Sequence, residues 1–178
     1  MAAASITRGN AGGRSIVVSD GFLGAGSAAT GIADLVVTAL VDEGCTLEEA
    51  RRHLWFVDVA GLVVKNRTDL MAHNLPYAHD HAALDFRQAI DAIRPHVLIG
   101  ATGAPGTFTQ DVVERMSALN DRPVIFALSN PTSRAECTAE QAYAWSEGRA
   151  IFASGSPFGP QVYNGRTLTP GQGNNAYV

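Results

Sequence analysis

With 178 residues the chain has the length of one domain and enough material to bury a core. Hydrophobic residues make up 46% and charged residues 17%, which excludes a disordered chain. The 13 basic residues are outnumbered by 17 acidic ones for a net charge of −4, so there is no basic stripe to meet a nucleic-acid backbone. No apolar run reaches the roughly 18 residues of a membrane span, and the stretch from Met1 to Arg14 lacks the apolar centre of a secretory signal. Cys45 and Cys137 show neither metal-type nor disulfide-type spacing and are expected to be reduced thiols of a cytoplasmic protein.

In chain order, residues 1–21 form a low-complexity lead-in carrying part of a first strand, Ser15-Ile-Val-Val18. Ser19-Asp20-Gly21 interrupts that strand, since Asp and Gly are poor strand residues. Ser27 to Asp42 has helical spacing through Ile32, Leu35, Val36, Ala39 and Leu40. Thr46-Leu-Glu-Glu49 has the capping-box pattern and should open a short helix. His53 to Val57 is a compact apolar run ending at Asp58, as in a buried strand, and residues 59–76 look like loop. A helix is expected over Phe86–Ile93, a strand over Val97–Ile99, a Gly/Pro loop from Gly100 to Gly106 and an amphipathic helix over Thr109–Leu119. Then follow a strand over Pro123–Leu128, a capping box at Thr138-Ala-Glu-Gln141 opening a helix to Trp145, a strand over Ala150–Ala153 and a hairpin turn at Asn164-Gly165. Strands alternating with helices predict an α/β fold, a Rossmann-like doubly wound parallel sheet with helices on both faces. In such sheets ligands sit at the carboxyl ends of the strands. Gly24, Asp58, Gly100 and Asn130 all fall at predicted strand ends.

Gly24-x-Gly26-x-x-Ala29 is the dinucleotide fingerprint in its G-x-G-x-x-A form. Its first glycine makes the turn, its second admits a pyrophosphate at the helix N-terminus, and its small third residue lets helix and strand pack closely. Such turns also arise for packing alone, so the pattern gains weight from Asp58, which ends the next strand and can accept hydrogen bonds from a ribose diol. A strand-end aspartate could equally cap the following turn. Val59-Ala60-Gly61 supplies no cation beside Asp58, which favours NAD, while Lys65 and Arg67 keep NADP open. His79-Asp80-His81 points its imidazoles in different directions and is expected to be a solvated or capping segment, with no metal. Ser154-Gly-Ser156 lacks the G-x-S-x-G elbow of a nucleophilic serine. Asn130, ahead of Pro131, and Gly171-Gln-Gly-Asn-Asn175 could be ordinary turn and loop residues; neutral amides would also suit a site holding a carboxylate and a carboxamide.

Phe22-Leu-Gly-Ala-Gly-Ser-Ala-Ala-Thr-Gly31, Leu128-Ser-Asn-Pro-Thr-Ser133 with Ala135-Glu-Cys137, Gly148 to Phe158, and Pro170-Gly-Gln-Gly-Asn-Asn175 together resemble the malic enzyme family in order and spacing. The resemblance runs from Phe22 to Val178 and implies an NAD(P)-binding domain over residues 22–178, incomplete at its C-terminus. It implies cofactor contacts at Gly24, Ala25, Gly26, Ser27, Ala28, Ala29, Asp58 and Asn130, and malate contacts at Asn130 and Asn174. It further implies oxidative decarboxylation of malate to pyruvate and carbon dioxide, with hydride transfer to NAD(P), Mg²⁺ or Mn²⁺ as Lewis acid in the complete enzyme, and a homo-oligomer. The family's acid, base and metal residues precede the glycine motif, and nothing in the short stretch before Phe22 resembles them. The chain alone is therefore expected to be inactive, with apolar surface exposed where further helices would cover the sheet. A non-catalytic NAD(P)-binding module and another dehydrogenase on the same fold are the alternatives.

Overall fold

The structure, a computed structural model, describes residues 20–173. Ser15–Val18 and Asn174-Asn175 lie outside the described residues. Strand β1 (Asp20–Leu23) is followed by helices α1 (Ser27–Asp42) and α2 (Leu47–Arg52), then β2 (Leu54–Asp58) and a two-residue β3 (Gly61–Leu62). Next come α3 (Phe86–Ile93), β4 (Val97–Gly100), α4 (Gln110–Leu119), β5 (Val124–Ala127), α5 (Ala139–Trp145) and β6 (Ile151–Ser154). A hairpin of β7 (Gln161–Tyr163) and β8 (Arg166–Leu168) precedes β9 (Gly171–Gln172). The main sheet has the order β3-β2-β1-β4-β5-β6-β9, parallel throughout except for β3. The chain leaves β1 to build one wing through β2, then crosses back to build the other from β4, which places the topological switch point between β1 and β4.

Helices cover both faces, as alternation along the strands requires. Phe22, Leu54, Phe56, Ile99 and Leu128 join the core beneath α1 and α2. Leu23, Val57, Leu98, Ile125 and Phe152 join the core beneath α3, α4 and α5. Phe22 stacks on Phe56 at 4.6 Å between ring centres, and Tyr77 tilts onto Phe56 at 4.9 Å. Burial, then a hydrogen bond to Asp34, raises the Tyr77 phenol above its ordinary range. Both predicted capping boxes form, Thr46 with Glu49 and Thr138 with Gln141, and Asp85 with Gln88 makes a third. Asn164 and Gly165 both adopt positive φ, 47° and 74°, as a two-residue hairpin turn of this hand requires. Cys137 is buried and its thiol is pushed up to about 12 by that burial, whereas Cys45, just past α1, is partly exposed; both are free.

Four expectations need correction, three of them about strands. Asp20 and Gly21 do not interrupt the first strand: β1 pairs residue for residue with β2 and with β4. A Cβ at Gly21 would make only ordinary van der Waals contact, 3.4 Å from Pro95 Cβ, so the pairing on both sides holds the glycine in the strand. Residues 59–76 are more than loop, because β3 adds an antiparallel edge to β2 and Val63 and Val64 are wholly buried. Gly171-Gln172 is not simply polar loop, because it pairs in parallel with Ala153-Ser154.

His79 is also not a solvated residue. Its ring stacks on Trp55 with centroids 3.6 Å apart, and its Nε2 lies 2.8 Å from the Leu54 carbonyl oxygen. Burial holds His79 below the ordinary imidazole value, and burial moves His53 the same way. Folded imidazoles with lowered pKa bind fewer protons than those of the unfolded chain. Their contribution to stability is therefore complete above the unfolded value of 6.5 and declines as pH falls below it. We expect the urea midpoint to drop on acidification from about pH 7 to about pH 5, and His79→Gln to reduce that drop. A pH dependence unaltered by the substitution would refute a buried neutral His79.

Candidate functional site

The carboxyl ends of β1, β2, β4, β5 and β6 lie along one edge, and the predicted site residues within the described part of the chain follow them. Gly24 closes the turn after β1 at φ +106°, and a Cβ there would stand 2.8 Å from the Ala101 carbonyl oxygen. Its N–H donates to the Val57 carbonyl at 2.8 Å, tying the turn to the end of β2. Gly26 is the N-cap of α1; no side chain caps the helix, and a Cβ at Gly26 would meet nothing within 4 Å. The first N–H groups of α1 are therefore left without a side-chain cap at the positive end of a 16-residue helix, the arrangement that suits an anion. Ser27 and Ala28 are exposed on that first turn. Ala29 is wholly buried, so among the expected cofactor contacts it acts by packing the helix onto the sheet.

Asp58 ends β2 in a fixed orientation. Its Oδ1 accepts from the Ala60 N–H at 2.8 Å and from Arg67 Nη1 at 2.9 Å, and its Oδ2 accepts from Arg67 Nη2 at 2.8 Å. The turn-capping role is thus realised, and the carboxylate still stands 24% exposed at the edge. Arg67 also donates to Asp69, at 2.9 and 2.6 Å; its hydrogen bonds to Asp69 and then to Asp58 raise its pKa, and Asp69 is lowered by Arg67 in return. Lys65 lines a groove with Arg51, Arg52 and His79, beside the start of β2.

Asn130 follows β5 and is exposed. The Ser156 hydroxyl donates to its Oδ1 at 2.6 Å, which leaves Nδ2 as the group to donate outward. The amide lies across Gly155, where a Cβ would stand 2.7 Å from Oδ1 and 2.8 Å from Nδ2. Ser154 spends its hydroxyl on the Ser156 carbonyl at 2.8 Å.

Two features of this edge escape a reading of the sequence. His73 Nε2 and Asn74 Nδ2 reach the Ala25 carbonyl oxygen at 3.1 and 3.2 Å, latching the loop after β3 onto the glycine turn. Glu136 is wholly buried between the ends of β4 and β5. Its Oε1 accepts from the Thr102 N–H and hydroxyl, each at 3.0 Å, and from the Ser129 hydroxyl at 2.5 Å; its Oε2 accepts from the Ser129 N–H at 3.3 Å. The one sequence signal was a charged residue set between the small apolar Ala135 and Cys137.

Residues 2–178 match the family described as malic enzyme, NAD binding domain. The chain is similar to the chloroplastic NADP-dependent malic enzymes of Flaveria trinervia, 57% identical over 88% of this chain and 25% of that protein, and of Solanum lycopersicum, 54% identical over 88% and 28%. That of Zea mays is 52% identical over 88% and 25%. The chain thus spans about a quarter of the length of the curated relatives it matches. Motifs, sheet order and family match agree, and the chain belongs to the malic enzyme family as an NAD-binding domain.

Proposed function

We propose that the chain binds NAD(P) across its switch point and serves a malic enzyme in the oxidative decarboxylation of malate to pyruvate. The observation that carries this is the uncapped N-terminus of α1 beneath the open face of Gly26. The pyrophosphate lies on the first turn of α1, against Gly24, Ala25, Gly26, Ser27 and Ala28. The adenosine ribose faces Asp58, and Asn130 donates through Nδ2 toward the nicotinamide half and malate. Asn174 is a second malate contact by family resemblance. When bound, the nicotinamide supplies the hydride acceptor for C2 of malate; the chain's own part is to hold it in register with the substrate. Among the described residues no group of three or more His, Cys, Asp or Glu could hold a metal ion, so none is assigned to the Mg²⁺ or Mn²⁺ of the complete enzyme. We assign no acid or base among them either. The chain alone is expected to bind cofactor without malate-dependent reduction, and the complete protein is expected to be a homo-oligomer.

NAD is the preferred cofactor in this reading. Val59 is fully exposed beside Asp58 and brings no charge, Arg67 is already shared between two carboxylates, and Lys65 lies in the groove at the start of β2. The names of the relatives favour NADP instead. Two free thiols suit a reducing compartment; the cytoplasm remains our placement, although several relatives are chloroplastic. No helix among the described residues is long and apolar enough to cross a membrane.

Calorimetric titration of the chain should give saturable NAD binding, about tenfold or more tighter than NADP, a difference of about 1.4 kcal/mol. Absence of binding by either cofactor overturns the proposal; tighter NADP overturns only the preference. The two glycines should separate cleanly. Gly26→Ala fills open space and should cost under about 1 kcal/mol in a urea melt while weakening NAD about tenfold or more. Gly24→Ala should lose about 1–3 kcal/mol of stability, because an alanine at that φ is strained and its Cβ meets the Ala101 carbonyl.

A further inference from the structure

Glu136 has no role in the family resemblance beyond its place in a motif, yet the edge is built around it. A buried carboxylate is costly unless its oxygens are satisfied. Here the Thr102 and Ser129 backbone N–H groups and the two hydroxyls satisfy it, and no Lys, Arg or His pairs with it among the described residues. Its four hydrogen bonds go to two separate loops. Thr102 belongs to the loop after β4 and Ser129 to the loop after β5, 27 positions apart by their numbers, and Ser129 immediately precedes Asn130. The Ser129 hydroxyl also accepts from the Gly103 N–H at 2.8 Å, so a continuous chain of bonds runs from the β4 loop through Ser129 to the carboxylate. Gly100 makes the arrangement possible: a Cβ on the last residue of β4 would lie 2.5 and 2.6 Å from Glu136 Cγ and Cδ. The strand has given up its terminal side chain to let the glutamate stem cross beneath it.

We infer that Glu136 is a positioning residue that fixes the β4 and β5 loops against each other and so holds Asn130 in place for the nicotinamide half of the cofactor. This rests on the dinucleotide reading given above. The adenosine half is placed at the ends of β1 and β2, on contacts that do not include Glu136. Glu136 therefore acts on one half of the ligand only, through the Ser129–Asn130 backbone, and touches neither cofactor nor substrate.

Glu136→Gln keeps the shape and replaces one acceptor oxygen with an NH2 group facing donors. Calorimetric titration of the full chain with NAD and with ADP-ribose, which lacks the nicotinamide, tests the inference. In the unaltered chain NAD should bind more tightly than ADP-ribose. Glu136→Gln should weaken NAD by about tenfold, about 1.4 kcal/mol, and leave ADP-ribose within about twofold. Ser129→Ala, which removes the hydroxyl joining Gly103 to Glu136, should move the same ratio in the same direction and decides the matter if Glu136→Gln does not fold. Equal loss of both ligands, or loss of neither, would show a structural residue only and overturn the inference, as would equal affinity of the unaltered chain for NAD and ADP-ribose. Failure of the unaltered chain to bind either ligand would instead overturn the dinucleotide reading itself.

Discussion

The segments that follow β1, β4, β5, β6 and β9 are each tied to the last carbonyls of a neighbouring strand. Gly24 N–H donates to Val57, Ala101 to Leu23, Leu128 to Gly100, Gly155 to Ala127 and Gly173 to Ser154, all between 2.8 and 3.1 Å. The parallel register thus continues past the strands themselves, and each of these loops takes its first residue's position from its neighbour. Parallel strands present slanted, evenly spaced bonds that allow this continuation along a whole edge. Gly24, Thr102 and Asn130 sit on these loops and Asp58 ends β2, so the spacing between them is a property of the sheet more than of any single loop.

That edge is also where side chains are withheld. A Cβ at Gly24, Gly100 or Gly155 would run into backbone or into Glu136 or Asn130 at 2.8 Å or less. Gly26 faces open space, as does Gly103 on the loop after β4, but Gly103 has a positive φ that calls for glycine and Gly26 does not. The difference separates glycines that shape the backbone from Gly26, which leaves room for something else. Packing at this density tolerates no added methyl group without movement of its neighbours.

Whatever is encoded within three or four residues could be foreseen from the chain. The capping boxes at Thr46 and Thr138, the span of α1 and the Asn164-Gly165 turn depend on local chemistry and appear where expected. β3 and β9 have two residues each, too few for any periodicity, and exist because β2 and β6 offer them unpaired backbone. The site divides in the same way. Gly24, Gly26 and Asp58 announce themselves by motif and by strand-end position. His73 and Asn74 meet Ala25 across 48 and 49 residues, and Glu136 meets Thr102 across 34, so only the fold brings them together. Gly21 misled for a related reason: its poor strand propensity was outweighed by pairing with β2 on one side and β4 on the other.

The unequal burial of the two cysteines makes the domain selectively addressable by thiol chemistry. Cys137 is sealed in the core with its thiolate suppressed, so an alkylating dye should attach at Cys45 alone. Cys45 lies just past the far end of α1, and 16 helical residues put about 24 Å between it and the glycine turn. A fluorophore placed there would sit beyond the C-terminal end of α1, at the opposite end of the helix from the glycine turn. The domain therefore carries its own single-site labelling point, well away from the carboxyl edge of the sheet, without an engineered cysteine.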